Sequence, residues 1–192
     1  ASLNMRELPA ENPIHVEKNK LLFKRALGLQ EGAFVFGEQV HGNRIVAIDR
    51  IIPSPLPGAD GLLTDKKGII LMAFFADCVP IFYVAPKVPV VGLVHAGWRG
   101  SLMSISVVAA RKIMAKWDLS PDDIRVGIGP SIGACCYEVD LKIKEDFCHL
   151  NKMYQRAFTF VKPNHYLLDL KLLNIMQLRE NGVQNIVASN LC

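Results

Sequence analysis

The stretch "GIILMAFFADCVPIFYVAPKVPVVGLVHAGWRG" at residues 68–100 decides the fold. It contains three near-continuous apolar runs, at 69–76, 79–85 and 88–94. Such runs are typical of strands that are buried on both faces. A membrane helix needs roughly 18–20 uncharged apolar residues. Asp77 and Pro80 interrupt the apolar residues of 68–86, so this stretch does not meet that requirement. We therefore predict neighbouring strands of a central sheet, joined at a polar break.

Helix and strand patterns continue on both sides of this stretch. We predict helices over 15–28, 100–117, 140–150 and 169–181, with N-caps at Ser101 and Asp169 and stops at Gly28 and Gly182. Further strands are predicted as two within 32–49 around "VHGN", one at the end of the 51–65 loop, one within 124–139 before a Gly-rich turn, and one over 183–189. This mixture predicts an α/β or α+β fold with a single domain over 1–192.

The composition narrows the function classes. Hydrophobic residues make up 51% of the chain and the net charge is +4, with Lys and Arg scattered, so neither nucleic-acid nor membrane binding is expected. A mildly basic surface still favours small anions such as phosphate. No signal peptide is visible. The five cysteines are odd in number and mostly isolated, which favours a reducing, cytoplasmic compartment over a secreted disulfide framework.

Ionisable or thiol side chains stand at or near the ends of three apolar strands. His41 lies in "EQVHGN", Cys78 follows Asp77 in "ADCVP", and His95 precedes Arg99 in "VHAGWRG". Two histidines and a thiolate are good ligands for Zn²⁺ and leave a fourth position for water or substrate, although Cu²⁺ competes for the same donors. Two other interpretations stay open at this point: ordinary structural residues, or a Cys–His hydrolase pair that uses Cys78 or Cys136.

The Gly-rich stretch "GPSIGACCYEV" at 129–139 predicts a tight turn whose backbone N–H groups can face an anion. Because Cys135 and Cys136 are adjacent, we expect their side chains to point in different directions, with only one facing a site. Glu138 is either a general acid or base, or a solvated carboxylate.

Five motifs together resemble, in order and spacing, the signatures of the YfiH-like family, also called the laccase-domain or multicopper polyphenol oxidase family. The motifs are "QVHGNRI", "ADGLLTD", "ADCVPI", "GLVHAGWRG" and "IGPSIGACCYEV". The resemblance implies an α+β fold with α/β/β/α layers and mixed sheets, grouped with cysteine hydrolases. It places the family's metal triad on His41, Cys78 and His95. Family members continue past the position of Cys192, so we expect that C-terminal tail to be absent here.

The resemblance also implies an activity. Members look like purine nucleoside phosphorylases that act on adenosine, inosine, guanosine and methylthioadenosine with phosphate, and that also deaminate adenosine. The implied cofactor is Zn²⁺, with Cu²⁺ as the competing ion.

Individual residues then receive expected roles, and other functions stay open. Arg99 is expected to hold phosphate, and Asp77 or Glu138 to move a proton. Gln39, Arg44 and Cys136 are expected to contact substrate. The alternatives are a copper-dependent phenol oxidase, a Cys-dependent hydrolase or amidase, and a metal-binding domain without catalysis. The oligomeric state is left open.

Overall fold

The structure, a computed structural model, describes residues 4–5, 12–29 and 31–192. The helices are α1 Pro13–Ala26, α2 Trp98–Leu102, α3 Ile105–Trp117, α4 Leu141–Leu150 and α5 Leu170–Glu180. The strands are β1 Ala33–Phe36, β2 Ile45–Ile48, β3 Gly61–Thr64, β4 Ile69–Met72, β5 Val79–Ala85, β6 Val90–Ala96, β7 Arg125–Ile128, β8 Glu138–Asp140, β9 Phe158–Lys162, β10 His165–Leu168 and β11 Ile186–Ala188. Short 3-10 turns span Pro121–Asp123 and Lys152–Ala157.

A six-stranded mixed sheet forms the centre, in the order β11-β7-β5-β6-β3-β2. Its middle strands β5 and β6 are antiparallel, while the outer pairs β2–β3 and β7–β11 are parallel. Two smaller sheets accompany it: the parallel pair β1–β4 and the antiparallel sheet β8-β10-β9. The expectation of a mixed α/β fold with a substantial central sheet is confirmed.

Two hydrophobic cores lie on opposite faces of the central sheet. Leu63 belongs to the larger core with residues of α3 and α5, whereas Leu62 packs in a smaller core with Val35 of β1 and Ile48 of β2. Consecutive residues of a strand point to opposite faces, so β3 is covered on both sides. All four of its residues are buried, as the apolar pattern predicts.

The prediction of burial on both faces is wrong for parts of β5 and β6. Phe82 and Val84 alternate with buried neighbours and are 47% and 43% exposed, and Val91 of β6 is 42% exposed. The reason is that these strands are covered on one face only along part of their length. A continuous apolar run does not distinguish this arrangement from full burial.

The helix predicted over 100–117 is divided in two. Ser104 has a φ of 54°, in the left-handed region, and separates α2 from α3. Ser101 is not an N-cap but lies buried within α2, where its hydroxyl accepts a hydrogen bond from Asn174 Nδ2 at 2.9 Å. Gly97 occupies the N-cap position instead.

The other helices agree with the sequence, whereas the three strands β8, β9 and β10 were not predicted. The helices near 15–28, 140–150 and 169–181 are present, and Asp169 caps α5 through Leu172 N. The two strands within 32–49 are present but belong to different sheets. The β9–β10 hairpin was not predicted; its turn contains Asn164 with a φ of 64°. Within the described residues, every helix falls short of the length and apolarity that a membrane span requires.

Candidate metal centre

Strand register brings the three predicted ligands to one edge of the central sheet. β5 and β6 pair with Pro80 opposite His95, so the start of β5, where Cys78 stands, lies beside the end of β6. β3 pairs with β6 so that Gly61 lies opposite Val94, and β2 pairs with β3 so that Ile45 lies opposite Gly61. The loop before β2, which carries His41, therefore reaches the same edge.

The donor atoms of His41, Cys78 and His95 all lie within 4.8 Å of one another. The two imidazole rings meet edge to face, with centroids 4.9 Å apart and an interplanar angle of 78°. His95 is buried, Cys78 is half-buried and His41 is exposed. The convergence that the strand ends predicted is therefore present, with one side open to solvent.

Asp60, which sequence reasoning missed, holds both histidines in place. Its buried carboxylate accepts the His95 Nδ1 proton at 2.9 Å and the backbone N–H of His41 at 2.9 Å. The N–H groups of Val40 and Gly42 donate to the same carboxylate, at 3.2 and 2.8 Å. Because Nδ1 of His95 is engaged, its Nε2 is the atom available to a metal. Asp60 stands in the quoted motif "ADGLLTD", but nothing in the local pattern distinguishes it from a loop carboxylate.

The electrostatics of the site favour the charged forms of both Asp60 and His95. Burial alone would lower the pKa of His95, but hydrogen bonds to Asp60 and Cys78 outweigh it and raise the pKa to about 9. Burial opposes ionisation of Asp60 as well, yet its hydrogen bonds to His95 and to the backbone hold its pKa below the usual range. The Cys78 thiol lies within 4.8 Å of the His95 ring nitrogen that faces the triad.

Gly97 and Gly100 have no side chain where α2 meets the ligands and the His41 loop. A Cβ on Gly97 would lie 2.9 Å from His41 Cδ2 and 3.0 Å from Cys78 Sγ. A Cβ on Gly100 would lie 2.7 Å from the carbonyl oxygen of Gly42. The small residues around Trp98 and Arg99 therefore allow α2 to pack closely on the His41 loop.

Gln39 connects the His41 loop to the segment that leads to Cys78. Its Nε2 donates to the Phe74 carbonyl at 2.7 Å, and its Oε1 accepts from the Phe74 N–H at 2.8 Å. The next residue, Phe75, packs against the His95 ring with centroids 5.6 Å apart. The structure thus gives the Gln39 amide two backbone partners, where the sequence allowed either a substrate contact or a contact behind the metal ligands.

Three further side chains lie near the triad. Tyr137 is half-buried, and burial together with the neighbouring Cys78 and Asp77 raises its pKa to about 12, against the opposing effect of Arg99. The structure therefore groups Tyr137, which sequence reasoning did not select, with Asp77 and Arg99. The Arg99 guanidinium lies 4.7 Å from the Trp98 ring centroid, in the first turn of α2, and is exposed.

The other predicted site residues make different contacts. Arg44 donates to the carbonyl of Pro57. Glu138 pairs with His165 Nδ1 at 2.6 Å and with Lys162 at 3.4 Å, within the three-stranded sheet.

Cys136 contacts the two other thiols near it. Its Sγ lies 3.4 Å from that of Cys135 and 3.7 Å from that of Cys192. The expectation that the adjacent thiols diverge is wrong, because residues 134–136 form a turn rather than an extended strand.

The donor set fits a metal ion. Two imidazoles and one thiol, with a carboxylate behind one imidazole and a Cβ-sized space kept free by Gly97, match the ligand chemistry of zinc with three protein ligands. The same donors accept copper, so the residues establish a metal-binding group without selecting the ion.

Comparisons with known proteins identify the relatives of this chain. A family model described as multi-copper polyphenol oxidoreductase laccase matches residues 1–192. A protein from Geobacillus stearothermophilus named purine nucleoside phosphorylase YlmD is 36% identical, over all of this chain and 74% of its own length. A Bacillus subtilis protein of the same name is 32% identical, over 92% of this chain and 67% of its own.

Solved structures give the same result. The crystal structure of YlmD from Geobacillus stearothermophilus superposes with a TM-score of 0.89 at 35% identity, covering all of this chain and 75% of that one. The Bacillus licheniformis hypothetical protein YfiH gives a TM-score of 0.88 at 32% identity, covering all of this chain and 76% of that one. The chain thus spans 67–76% of the length of these relatives. It belongs to the YfiH-like family, whose model carries the multi-copper polyphenol oxidoreductase laccase description.

Proposed function

We propose that this chain is a zinc-dependent purine nucleoside phosphorylase that also deaminates adenosine. The observation that carries the proposal is the convergence of His41, Cys78 and His95 within 4.8 Å, in a chain whose relatives are named purine nucleoside phosphorylases. The substrates are a purine nucleoside, such as adenosine, inosine, guanosine or methylthioadenosine, and phosphate. Because all five cysteines are free thiols, we assign the enzyme to the reducing cytoplasm.

The triad residues would hold the ion, and Asp60 orients them. A bound Zn²⁺ supplies Lewis acidity and lowers the pKa of a coordinated water toward neutrality. His95 offers Nε2 because its Nδ1 proton is donated to Asp60. Asp60 fixes His41 through the backbone, since it accepts the N–H groups of the loop on either side of that residue.

In phosphorolysis, a phosphate oxygen forms a bond to C1′ of the ribose, and the bond from C1′ to the purine nitrogen breaks. The electron pair leaves with the base, which takes up the proton that the attacking hydrogen phosphate releases. Arg99 is our candidate for holding the phosphate, because its guanidinium is exposed beside the triad and braced by Trp98. Burial and the neighbouring Cys78 and Asp77 raise the pKa of Tyr137 to about 12, and its phenol is our candidate hydrogen-bond donor to the substrate.

In deamination, water adds to C6 of adenine, the C6–N bond breaks and ammonia leaves. One carboxylate must pass a proton from the water to the departing nitrogen. We assign this role to Asp77, since the Glu138 carboxylate is paired with His165 and Lys162. Arg44 and Cys136 as substrate contacts stay predictions, and we now assign Gln39 to positioning the His41 loop.

One observation favours a second candidate, a cysteine-dependent hydrolase. Cys78 interacts with His95, and His95 Nδ1 donates to Asp60 at 2.9 Å, which is the order of a nucleophile, a base and an orienting carboxylate. In that enzyme His41 would have no role, and removal of metal would leave turnover intact. His41 thus separates the two candidates.

Copper-dependent phenol oxidation has less support. Among residues that the structure describes, two groups of at least three His, Cys, Asp or Glu side chains have metal-binding spacing, and only one contains histidine. Reduction of oxygen to water by four electrons needs several clustered His-rich copper sites. One His₂Cys group does not supply them.

The decisive experiment is a product assay on metal-analysed, full-length protein. Adenosine is incubated with and without phosphate, and adenine, inosine and ribose 1-phosphate are followed by chromatography. We expect phosphate-dependent adenine release and phosphate-independent inosine formation, both lost in Cys78→Ala together with its metal and retained in Cys148→Ala. Turnover that survives chelation but not alkylation of Cys78 would instead establish the hydrolase. No product from folded, zinc-loaded protein would refute the proposal.

A further inference from the structure

Three other cysteines converge beyond the ends of β7 and β11, at the same edge of the central sheet as the triad, because Ile128 of β7 pairs with Ile81 near the start of β5. β7 and β11 are parallel neighbours, with Ile128 beside Ala188 at their ends. The segments that follow both strands therefore leave the sheet together, and Ser189 N donates to the Ile128 carbonyl at 2.8 Å. One segment carries Cys135 and Cys136 and the other ends with Cys192.

The spacing of these thiols suits a single metal ion. The Sγ atoms of Cys135 and Cys136 are 3.4 Å apart, those of Cys136 and Cys192 are 3.7 Å apart, and all three lie within 4.8 Å. With metal–sulfur bonds of about 2.3 Å, sulfur ligands of a tetrahedral ion are separated by about 3.8 Å. A disulfide needs a sulfur–sulfur distance of about 2.05 Å, which is much shorter.

The surrounding chain holds the thiols in this arrangement. The Gly133 N–H donates to Cys192 Sγ at 3.2 Å, a hydrogen bond of the kind that orients metal-binding thiolates. Lys171 Nζ donates to the Leu191 carbonyl at 2.8 Å, and Ser189 Oγ accepts from the Leu191 N–H at 3.2 Å. The segment next to Cys192 is therefore anchored to α5 and to itself.

Space for a further ligand adjoins the sulfurs. A cavity of about 330 Å³ is lined by Cys135 and Cys192, with Asp169 and Asn190 among its other walls. All three cysteines are exposed, so an ion can reach them without a change of fold. The cavity leaves room for a water or small anion as a fourth ligand.

We propose that Cys135, Cys136 and Cys192 form a second metal site, for a thiophilic ion such as Cu⁺ or Zn²⁺. Each thiol releases its proton and forms one metal–sulfur bond, so no oxidant or reductant is consumed. Thiolate donors without nitrogen or oxygen partners select soft ions. Three thiolates satisfy Cu⁺ directly, whereas Zn²⁺ takes its fourth ligand from the cavity.

The test is metal stoichiometry in reduced, full-length protein under anaerobic conditions, titrated with Cu⁺ and Zn²⁺ in separate experiments. Cys136→Ser removes the thiol that contacts both others, Cys78→Ala removes the triad, and Cys148→Ser is the matched control, because Cys148 belongs to neither cluster. We expect two bound ions in the wild type and in Cys148→Ser, and one in each of the other two variants. The ion that reaches this stoichiometry identifies the metal.

Cobalt provides a second measurement that does not depend on counting. In the Cys78→Ala background, Co²⁺ should give a sulfur-to-metal charge-transfer band that disappears when Cys192→Ser is added, while circular dichroism shows that both proteins remain folded. The proposal is overturned if Cys136→Ser keeps the wild-type stoichiometry or if the Cys78→Ala protein gives no such band. A single ion in the wild type that is lost in Cys136→Ser would support this site and leave the triad without metal. A disulfide among these cysteines in the anaerobic protein would also overturn it. None of these results depends on nucleoside turnover.

Discussion

Asp60 is the residue on which both histidine ligands depend. Its carboxylate accepts four hydrogen bonds, three from the backbone of the His41 loop and one from His95. A buried carboxylate in this role fixes the tautomer of the imidazole and the conformation of the loop together. His41 has a φ of 60°, a conformation that a non-glycine residue adopts only when its surroundings impose it.

We expect Asp60→Asn to weaken zinc binding about 10–100-fold, the usual cost of losing a carboxylate behind a metal-binding histidine. The amide nitrogen cannot accept the backbone N–H groups that the carboxylate oxygens accept. Competition with a chromophoric chelator measures the affinity. Asp65→Asn is the control, because Asp65 pairs with Trp117 and Lys66 instead. Equal affinity in wild type and Asp60→Asn would contradict this role.

Gly97→Ala should abolish metal binding in a protein that still folds. The new Cβ would lie within 3.0 Å of both His41 and Cys78, so the ligands must move apart. Gly127→Ala is the control, because its nearest neighbour would be Phe82 Cβ at an ordinary 3.8 Å. Metal content after dialysis and near-ultraviolet circular dichroism report binding and fold. Full metal content in Gly97→Ala would show that the glycine is not needed.

The pKa of His95 predicts how the metal-free protein responds to pH. Because this pKa is raised from 6.5 to about 9 in the folded state, protonated His95 stabilises the fold below pH 6.5, and this contribution is lost as the pH rises through 9. We expect Tm to fall over that window and the slope to flatten in His95→Gln. Calorimetry on chelator-treated protein measures both. An unchanged slope in His95→Gln would assign the effect to another group.

At the scale of elements, most helices and strands could be predicted from the sequence. Apolar periodicity and capping residues located α1, α4, α5 and the strands of the central sheet. The interruption at Ser104 could not be predicted, because its left-handed backbone depends on how α2 packs against the His41 loop and α5. The β9–β10 hairpin could not be predicted because its sequence lacks a strong turn pair. Its other neighbour in the sheet, β8, has only three residues and gives no clear strand pattern.

The link between Gln39 and Phe74 is the prediction at this scale, since it joins the loop before β2 to the segment after β4. Gln39→Leu would leave the Phe74 N–H and carbonyl without these bonds, at a cost of about 1–3 kcal/mol. We expect lower stability in urea and weaker metal binding. Gln184→Leu, which removes an exposed 3.3 Å bond to Arg179, should change neither. Wild-type metal affinity in Gln39→Leu would separate this link from the site.

For the molecule as a whole, the three metal-binding residues could be predicted from the sequence, but the residues that surround and orient them could not. His41, Cys78 and His95 follow from residue type at strand ends and from the family resemblance. Asp60, Gly97 and Tyr137 depend on strand register and on packing between loops, which a single sequence does not encode locally. The single domain over 1–192 stays a prediction, and one cooperative unfolding transition would support it.

Zinc should stabilise the whole molecule because its ligands come from three separate parts of the fold. At a free concentration of about 100 times Kd, binding contributes about 2.7 kcal/mol. At roughly 2–4 °C per kcal/mol for a domain of this size, Tm should rise by about 5–11 °C. The part of this Tm increase that comes from the triad is the difference between the zinc-induced shifts of the wild type and Cys78→Ala. An equal shift in the two proteins would place the stabilising ion elsewhere.

The order of the ligands along the chain has a consequence for biosynthesis. His41, Asp60, Cys78 and His95 all precede α3 in the sequence. A ribosome therefore completes the ligand set before it makes the helices that cover the sheet. If the triad binds zinc as we propose, zinc starvation during translation should lower the yield of folded protein as well as the activity.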